Sequence, residues 1–598
     1  MCGIIVSLSS KKISSDKMLE AGSKLDHRGP DNKGMKSYNI NGLYYNFIHT
    51  RLSIRGLVVD ANQPLISKCG RFLLCFNGEI YNTEQLKRDF SIEEDNTGSD
   101  SIVLLHLLIK YNSSIVVKLE GMFAFVFCDL YTGEMIVARD AVGVKQLYKY
   151  EDGENLIYSS EISPIELILS KKLEISRLDL LEFMTLGFVC EPRTGFKNIV
   201  KLEPSSYHLI SADRVVHKRK YDFDLTNCKD ISENTIRNII DKQVISDVPL
   251  GVFFSGGMDS TVLAVETDLP LLHLEGNPID SKYSAKIANL LKNNFSSFPL
   301  SDFGERDIFS DARFIADSVE EPISDYTFLA SYNLSKKAHM NGYKVMISGM
   351  GADEIFGGYP RYRVFSLYLL FRPLLKLLPS KLVSKFKIFP FFRGRRSQRF
   401  LSAIMQKSPY WAYASLVGYF SKDELELLWK DNDIDLMDSL PRVWKSLGKV
   451  SKSYKNLPSI MDRYGFLSHN LIVADKSSMR AGVELRVPFL AESIFLLKQN
   501  ISHSLLSPKK IIYDMCKKRI PRKFLKRKKE GFNPPLYKMV KKKCVEDYMA
   551  FFRESGVFNI LLEDKVHELL SKHFSEFEDN TYKIWQLVFL GAWLERWS

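Results

Sequence analysis

Residues 247–260 read DVPLGVFFSGGMDS and decide the fold of the second half of the chain. The apolar run 248–254 predicts a buried strand, and residues 259–267 have the spacing of a helix that begins directly after the glycine turn. Glycines let a backbone approach phosphate oxygens closely, and a helix N-terminus offers N–H groups at the positive end of the helix dipole. A plain strand-to-helix turn capped by Asp259 is the alternative. The turn lacks a Gly-Lys-Ser/Thr ending, which excludes a Walker A loop.

The rest of the second half extends this pattern. Residues 344–347 form another apolar run that ends at a glycine turn, and helical segments separate the strand-like runs. Strands that alternate with longer helices predict a parallel α/β sheet. From residue 362 to the C-terminus helical periodicity dominates, and strand signals fade.

The first half of the chain has a different pattern. The short apolar runs 72–76, 122–127 and 135–138 are bounded by Gly, Asn and Asp, which is typical of strands buried on both faces. Residues 102–110 have helical spacing between them. A strand-like run at 206–210 and a polar stretch at 222–232 predict a domain boundary near residues 210–235.

The composition is that of a globular protein. The 598 residues are 45% hydrophobic and 26% charged, which excludes a disordered chain or a disulfide scaffold. Eight cysteines at uneven spacing favour a reducing compartment. No signal-peptide pattern and no uncharged apolar stretch of membrane-spanning length occurs, so we expect a soluble cytoplasmic protein.

Cys2 follows the initiator Met1, so removal of Met1 would place a thiol and an α-amine on one carbon. An α-amino group has a pKa near 8 and could take the thiol proton without a histidine. Taken alone, Cys2 could be an incidental second residue. Four polar blocks follow it: HRGPD at 27–31, HTRLSI at 49–54, NGEIYN at 77–82 and GSD at 98–100.

Each polar block also has an ordinary structural interpretation. Arg51 could be a surface charge, Asn77 and Gly78 a hairpin turn, and Asp100 a helix N-cap. Together with Cys2, however, the blocks supply the groups that acyl transfer from a primary amide requires. These groups are a nucleophile, oxyanion donors, and charged groups for the two ends of the substrate.

With these motifs, residues 2–160 resemble the class II glutamine amidotransferases, which use an N-terminal nucleophile. The resemblance implies an αββα-type sandwich domain that hydrolyses glutamine to ammonia at Cys2. It implies an oxyanion hole of the Asn77 side chain and the Gly78 N–H. Arg51 would bind the α-carboxylate of glutamine, and Asp100 with a carbonyl beside Glu79 its α-amino group. The implied glutamine-binding residues are Arg51, Leu52, Ser53, Ile54, Asn77, Gly78, Glu79 and Asp100.

Two further blocks follow the first glycine turn: SGMGADEIFGGY at 348–359 and DKSSMRAGVELRVPFL at 475–490. In this order the three blocks resemble the synthetase domain of the glutamine-hydrolysing asparagine synthetases, an AMP-forming ATP pyrophosphatase. The resemblance implies a glutaminase domain at 2–210 and an α/β domain with a Rossmann-like parallel sheet at 230–598. A helical elaboration would occupy about 362–470.

The resemblance also implies the second reaction and its cofactors. ATP would adenylate a carboxylate, aspartate in the family, and ammonia would displace AMP after travelling through a dry passage. Asp259 and Asp353 would hold Mg²⁺, and Lys509 would stabilise charge on the departing pyrophosphate. The implied ATP-binding residues are Phe253, Ser255, Gly256, Gly257, Asp259, Ser260, Leu274, Ser348 and Gly349.

The acceptor is where this chain departs from the family pattern. The family has a glutamate after the Ser-Gly of the second turn, and Met350 stands there instead; Ala491 replaces an aspartate. Drift at a tolerant position is one interpretation. The other is an acceptor other than aspartate, such as a uronic-acid sugar in surface-polysaccharide biosynthesis.

The chain has 83 Lys and Arg and 71 Asp and Glu. The excess positive charge is concentrated in the second half of the chain, in residues 371–399 and 509–529. Solvated helix faces are the first interpretation of these segments, and peripheral membrane contact by residues 371–392 is the alternative. A tRNA-modifying ATP pyrophosphatase shares the first turn but not the N-terminal blocks, so we expect no nucleic-acid partner. A homodimer is left open.

Overall fold

The computed structural model describes residues 2–92, 98–221, 231–300, 307–375, 395–430, 434–447, 454–499, 509–525 and 536–598. Parts of the two basic segments, residues 376–394 and 526–529, lie outside the described residues, as does the polar stretch 222–230. The membrane alternative for residues 371–392 therefore falls largely on residues that are not described.

The first half of the chain forms two antiparallel sheets. Its strands are β1 Gly3–Ser9, β2 Asn32–Ile40, β3 Leu43–Arg51, β4 Leu65–Ile66, β5 Phe72–Ile80, β6 Gly121–Asp129, β7 Met135–Arg139, β8 Tyr148–Glu151, β9 Asn155–Ser159, β10 Ile199–Lys201, β11 Ser206–Ile210 and β12 Val216–Lys220. The first sheet has the order β10-β8-β9-β1-β3-β2, and the second has the order β12-β11-β7-β6-β5-β4.

Helices cover the outer faces of both sheets. They are α1 Ser15–Ser23, α2 Thr83–Phe90, α3 Asp100–Tyr111, α4 Ser163–Leu169 and α5 Arg177–Leu186. Alternate residues of β1 explain the layering, since Ile4 and Val6 pack between the sheets and Ile5 packs against α1 and α4. Leu74 and Phe76 of β5 face α3 in the same way. The predicted αββα sandwich is confirmed.

Within the described residues, one helical stretch, Asp100–Lys118, has the length and apolar composition of a membrane span, and half of it is buried. Its residues Val103, Leu104 and Leu108 pack in the core against the second sheet. Its apolar character is therefore explained by the α3 face of the sandwich.

The second half contains a parallel sheet and many helices. Its elements are α6 Glu233–Gln243, β13 Leu250–Phe253, α7 Met258–Glu266, β14 Leu271–Glu275, α8 Pro278–Leu291, β15 Phe295–Pro299, α9 Ile308–Val319, α10 Thr327–Met340, β16 Val345–Ile347, α11 Ala352–Phe356, α12 Pro360–Leu375, α13 Arg395–Met405, α14 Pro409–Val417, α15 Lys422–Leu428, α16 Ile434–Ser446, α17 Leu457–Met461, α18 Ser468–Met479, β17 Glu484–Arg486, α19 Glu492–Gln499, α20 Lys510–Cys516, α21 Arg522–Leu525, α22 Leu536–Val540, α23 Val545–Glu554, α24 Glu563–Phe574 and α25 Thr581–Trp597.

This sheet has the order β15-β14-β13-β16-β17, with every neighbouring pair parallel. The predicted Rossmann-like sheet and helical C-terminal region are confirmed. One further strand, β17, lies after residue 362, where strand signals fade, and it joins the sheet beside β16. Three residues are too few to give a strand period, so the sequence carried no signal for it.

The two halves share a buried interface. Arg28 of the first half donates to Asp475 of α18 at 2.8 Å, and both side chains are buried. The last helix, α25, returns to the first half, where Phe196 packs against Trp593 and Trp597. Because the second sheet runs to Lys220 and α6 begins at Glu233, we propose a domain boundary between these two residues.

Candidate active sites

Cys2 lies directly before β1. That strand lies in the interior of the first sheet, between β3 and β9. Its backbone N–H donates to Asn77 Oδ1 at 2.9 Å, which ties the start of the chain to β5 of the second sheet. Burial raises the pKa of the Cys2 thiol, while the Leu52 N–H and the Arg51 guanidinium oppose that rise. The cleft around this residue is called the Cys2 site below.

Asn77 and Gly78 lie inside β5, so the hairpin-turn alternative is wrong. Asn77 Nδ2 is buried and has no hydrogen-bond partner within the described residues, although Oδ1 of the same amide is engaged by Cys2. A Cβ at position 78 would lie 2.1 Å from Met122 O, so only glycine fits there. The side chain that accepts from the Cys2 backbone therefore carries a buried amide donor, and an oxyanion requires such a donor.

Arg51 is buried at the end of β3, and its guanidinium is held by neutral groups. It donates to Gly56 O at 2.6 Å, Asn62 Oδ1 at 2.7 Å and Val58 O at 3.1 Å. No carboxylate pairs with it in the described part of the chain. Burial lowers the pKa of Arg51 despite the attraction of nearby acidic groups. A buried cation held by carbonyls is suited to an anionic substrate group.

Asp100 and Glu79 place two carboxyl groups on the other side of the cleft. Asp100 begins α3 and accepts from the Ile80 N–H at 3.0 Å, rather than capping the helix, whose N-cap is Ser99. Burial raises the pKa of Asp100, and burial together with Asp100 raises the pKa of Glu79 to about 8. Arg55 and Arg486 approach the Glu79 carboxylate at 3.5 Å.

The Cys2 site also contains residues to which the sequence assigned no role. Glu484 of β17 lines the cleft together with Cys2, Arg51 and Asp100, although it belongs to the second half of the chain. Burial alone would raise the pKa of Glu484, but the chain's amino terminus and Arg486 hold it at about 2. Spacing along the chain gives no signal that Glu484 lies at this site, because 482 positions separate it from Cys2.

The other predicted set meets at the carboxyl ends of the parallel strands. In the order β15-β14-β13-β16-β17, the direction of the connections reverses between β13 and β16. Open α/β sheets bind ligands in the crevice at such a switch point. The turn after β13 carries Ser255, Gly256 and Gly257, and the turn after β16 carries Ser348 and Gly349. These two turns are called the two-turn site.

The first turn leads into a helix start that no side chain caps. Helix α7 begins at Met258 after Gly257 with no side-chain cap, whereas Asn277 caps α8. Gly256 has φ +65°, and a Cβ there would lie 2.4 Å from Ser284 Oγ. The Ser255 and Ser260 hydroxyls lie 3.1 Å apart across the turn. An uncapped helix start with flanking hydroxyls can bind phosphate.

The second turn lies directly against the first. A Cβ on Gly349 would lie 2.9 Å from Asp259 Cβ, so glycine permits this approach. Asp259 at the start of α7 and Asp353 in α11 are joined by Lys509, whose Nζ lies 2.6 Å from an oxygen of each. Carboxylates that already share a cation at this distance fit Mg²⁺, which prefers oxygen ligands.

The remaining predicted residues divide between the two sites. Phe253 ends β13, and Leu274 is buried in the neighbouring strand β14. Leu52, Ser53 and Ile54 follow β3 beside Arg51, and Leu52 and Ile54 line the Cys2 site. The structure thus brings the predicted residues together in two separate groups.

Comparison with known proteins assigns the class. The glutamine amidotransferase domain family matches residues 1–222, and the asparagine synthase family matches residues 233–598. The two together define a carbon–nitrogen ligase class that takes its nitrogen from glutamine. Because the second match covers more than half of the chain, the protein belongs to the asparagine synthase family.

Individual relatives are similar over most of the chain. Glutamine-hydrolyzing asparagine synthetase 1 of Bacillus subtilis is 27% identical over 95% of this chain and 91% of its own length. The glutamine-hydrolyzing asparagine synthetase of Zea mays is 26% identical over 81% and 78%. A glutamine phosphoribosylpyrophosphate amidotransferase structure from B. subtilis covers 50% of this chain and 65% of that chain at 15% identity, with a TM-score of 0.28, too low to carry an argument.

Proposed function

We propose that the protein hydrolyses glutamine at Cys2 and uses the ammonia to amidate a carboxylate that ATP has adenylated at the two-turn site. The single observation that carries this proposal is the pairing of two sites in one buried framework. The Cys2 N–H donates to Asn77, whose amide nitrogen has no hydrogen-bond partner among the described residues. Asp259, Asp353 and Lys509 meet beside a helix start without a side-chain cap.

The glutaminase step would use the chain's own terminus. After removal of Met1, the α-amine of Cys2 takes the thiol proton, and the thiolate attacks the amide carbon of glutamine. Asn77 Nδ2 and the Gly78 N–H donate to the oxygen that becomes negative, while Arg51 binds the α-carboxylate. Collapse to a thioester releases ammonia, and water then releases glutamate.

The synthetase step would occur at the two-turn site. The acceptor carboxylate attacks the α-phosphorus of ATP, which gives an acyl-adenylate and pyrophosphate, and ammonia then displaces AMP. The Gly256 turn and the start of α7 bind the phosphates, and Lys509 stabilises charge on the leaving pyrophosphate. Mg²⁺ held by Asp259 and Asp353 would supply further charge neutralisation there.

The position of strand β17 supports the proposal that ammonia travels between the two sites. Its first residue, Glu484, lines the Cys2 site, and its last, Arg486, accepts through its carbonyl from the Ser348 N–H at 2.9 Å. Three residues of one buried strand thus connect the two sites. A dry path is needed because ammonia in water near pH 7 would be protonated and lose its nucleophilic lone pair.

Aspartate is the first candidate acceptor, supported by the names of the relatives. Met350 favours a second candidate, a uronic-acid sugar, free or linked to a nucleotide. Its side chain packs between two apolar clusters that include Ile347 and Met346, and it offers no proton or charge. An aspartate acceptor would therefore lack the acidic partner that the family pattern has at this position.

A screen of acceptors tests the proposal. The full-length protein is incubated with ATP, Mg²⁺ and glutamine, and pyrophosphate release is measured with aspartate and with uronic acids, free and nucleotide-linked. We expect one acceptor class to stimulate release by at least about tenfold. Rapid asparagine formation at sub-millimolar aspartate would eliminate the sugar-acid candidate, and no stimulation by any carboxylate would contradict the proposal.

A further inference from the structure

The Lys509 ammonium lies between the two carboxylates that are suited to a metal ion. Nζ lies 2.6 and 2.7 Å from the two oxygens of Asp259, and 2.6 Å from Asp353 Oδ1. The lysine side chain is 12% exposed, whereas those of Asp259 and Asp353 are 26% and 36% exposed. The cation thus lies deeper than the carboxylates that it joins.

The surrounding backbone holds Lys509 in this place. Lys509 has φ +59° immediately before α20, whose Ile512 and Met515 are buried in the same core cluster as Val262 of α7. On the other side, a Cβ at Gly358 would lie 1.7 Å from Asp353 Oδ1 and 2.8 Å from Lys509 Cε. The contact between lysine and carboxylate is therefore closed in by packed backbone on two sides.

A metal ion and this ammonium require the same oxygens. Mg²⁺ binds carboxylate oxygens at about 2.0–2.1 Å, which leaves no room for a cation that lies 2.6 Å from the same atoms. The positive charge of Lys509 would also repel the metal at short range. The polyphosphate of ATP would offer Lys509 alternative anionic partners, and the two carboxylates would then become available.

We propose that the Lys509 ammonium occupies the Mg²⁺ position in the nucleotide-free protein. The metal then binds between Asp259 and Asp353 only when the ammonium pairs with the polyphosphate of ATP instead. The inference rests on the proposed function. It makes metal and nucleotide binding mutually dependent. The alternative is that Lys509 is only a structural partner of the carboxylates, in which case its removal creates no metal site.

Manganese titration of the nucleotide-free, full-length protein tests the inference, with free Mn²⁺ measured by electron paramagnetic resonance. Lys509→Met removes the charge and keeps the apolar stem, and Lys509→Arg keeps the charge. Lys510→Met is the matched control, because Lys510 is exposed and pairs with Asp514. We expect Lys509→Met to bind Mn²⁺ at least tenfold more tightly than the wild type, and the other two variants to match the wild type.

A double variant and a measurement on the wild type test whether Mn²⁺ binds between the two carboxylates and depends on nucleotide. Adding Asp353→Asn to Lys509→Met should abolish the gain. In the wild type, α,β-methylene-ATP should raise Mn²⁺ affinity at least tenfold, an arm that does not depend on the folding of any variant. The inference is overturned if Lys509→Met folds and binds Mn²⁺ no more tightly than the wild type, or if the nucleotide analogue does not change Mn²⁺ affinity.

The proposed function fails in a different way. Wild-type pyrophosphate release with a carboxylate acceptor, combined with unchanged Mn²⁺ binding by Lys509→Met, would overturn this inference alone. Tighter Mn²⁺ binding by Lys509→Met, with no pyrophosphate release from the wild type for any acceptor, would overturn the proposed function while supporting the lysine's exclusion of metal.

Discussion

The Cys2 site and the two-turn site are built in different ways. The first lies where β1, β3 and β5 meet inside a sandwich, and Cys2, Arg51 and Asn77 are held by strands or by backbone carbonyls. The second lies on turns and helix starts at the edge of a parallel sheet, and a lysine joins its carboxylates. At the Cys2 site the guanidinium that would bind substrate is held by neutral groups, whereas the two-turn site must exchange an ion pair for its ligands.

This difference predicts how each site responds to substitution. At the Cys2 site, Asn77 acts only on glutamine chemistry, so the loss of its donor should not disturb the other half of the chain. A carboxylate at the two-turn site also holds Lys509, so its loss should release a cation. Cys2→Ala and Asp259→Ala should separate the two activities, and Asn77→Ala and Glu79→Gln act on the Cys2 site alone.

The largest effect is expected for Cys2→Ala, which removes the nucleophile. Glutamine hydrolysis should fall by about a thousandfold or more, while pyrophosphate release supported by added ammonium chloride should stay within about twofold of wild type. Both rates are measured on the same preparation. Cys69→Ala, which removes an exposed free thiol, is the control. Full glutaminase activity in Cys2→Ala would show that the nucleophile is wrongly assigned.

Asp259→Ala should produce the reverse result. Loss of one of the two carboxylates that face Lys509 should lower pyrophosphate release by at least about a hundredfold, because the site loses its charge balance and its cation ligand. Glutamine hydrolysis measured without ATP should be unchanged. The exposed Asp268→Ala serves as the control. Equal loss of both activities would mean that the two sites cannot be separated.

Asn77→Ala tests the unpartnered donor at the Cys2 site. The loss of one oxyanion donor costs about 3 kcal/mol in the transition state, so kcat for glutamine hydrolysis should fall by about a hundredfold. The KM for glutamine should change far less, because the donor acts mainly on the developing negative charge. The exposed Asn39→Ala on β2 is the matched control. A change confined to KM would assign Asn77 to substrate binding instead.

The smallest effect is a pH dependence of stability from Glu79. Its pKa is raised from 4.5 to about 8 in the folded protein, so between these values the folded state keeps a proton that the unfolded state has lost. Stability contributed at this residue therefore falls as pH rises from 5 to 8. Glu79→Gln removes this dependence.

Calorimetry checks this effect. The Tm of Glu79→Gln relative to wild type should rise by about 2 °C between pH 5 and pH 8. The exposed Glu84→Gln should give no such trend. A Tm difference that stays constant with pH, or falls, would contradict the raised pKa.

The sequence predicted the parts of this molecule that depend on local spacing. The glycine turn at 255–257, the strand before it and the helix after it were all readable from neighbouring residues, as was the αββα sandwich from its resemblance to a known family. The two groups of site residues were likewise predictable, because each sits in a short block with a distinctive order.

The contacts between the halves were not predictable from spacing. The Arg28–Asp475 pair joins residues 447 positions apart, and Glu484 reaches the Cys2 site only because β17 adds to the sheet beside β16. The Lys509 bridge depends on how α20 packs against α7. Such contacts follow from the assembled core, and no local pattern encodes them.

The central claim is that glutamine supplies nitrogen to an acid activated as its adenylate. The most direct test supplies the full-length protein with ATP, Mg²⁺, glutamine labelled with ¹⁵N at the amide, unlabelled ammonium and the acceptor that the screen identifies. The account predicts AMP and pyrophosphate as the nucleotide products, and a product amide that carries ¹⁵N above its proportion in bulk ammonia. Release of ADP and inorganic phosphate, or an amide that carries no ¹⁵N, would contradict it.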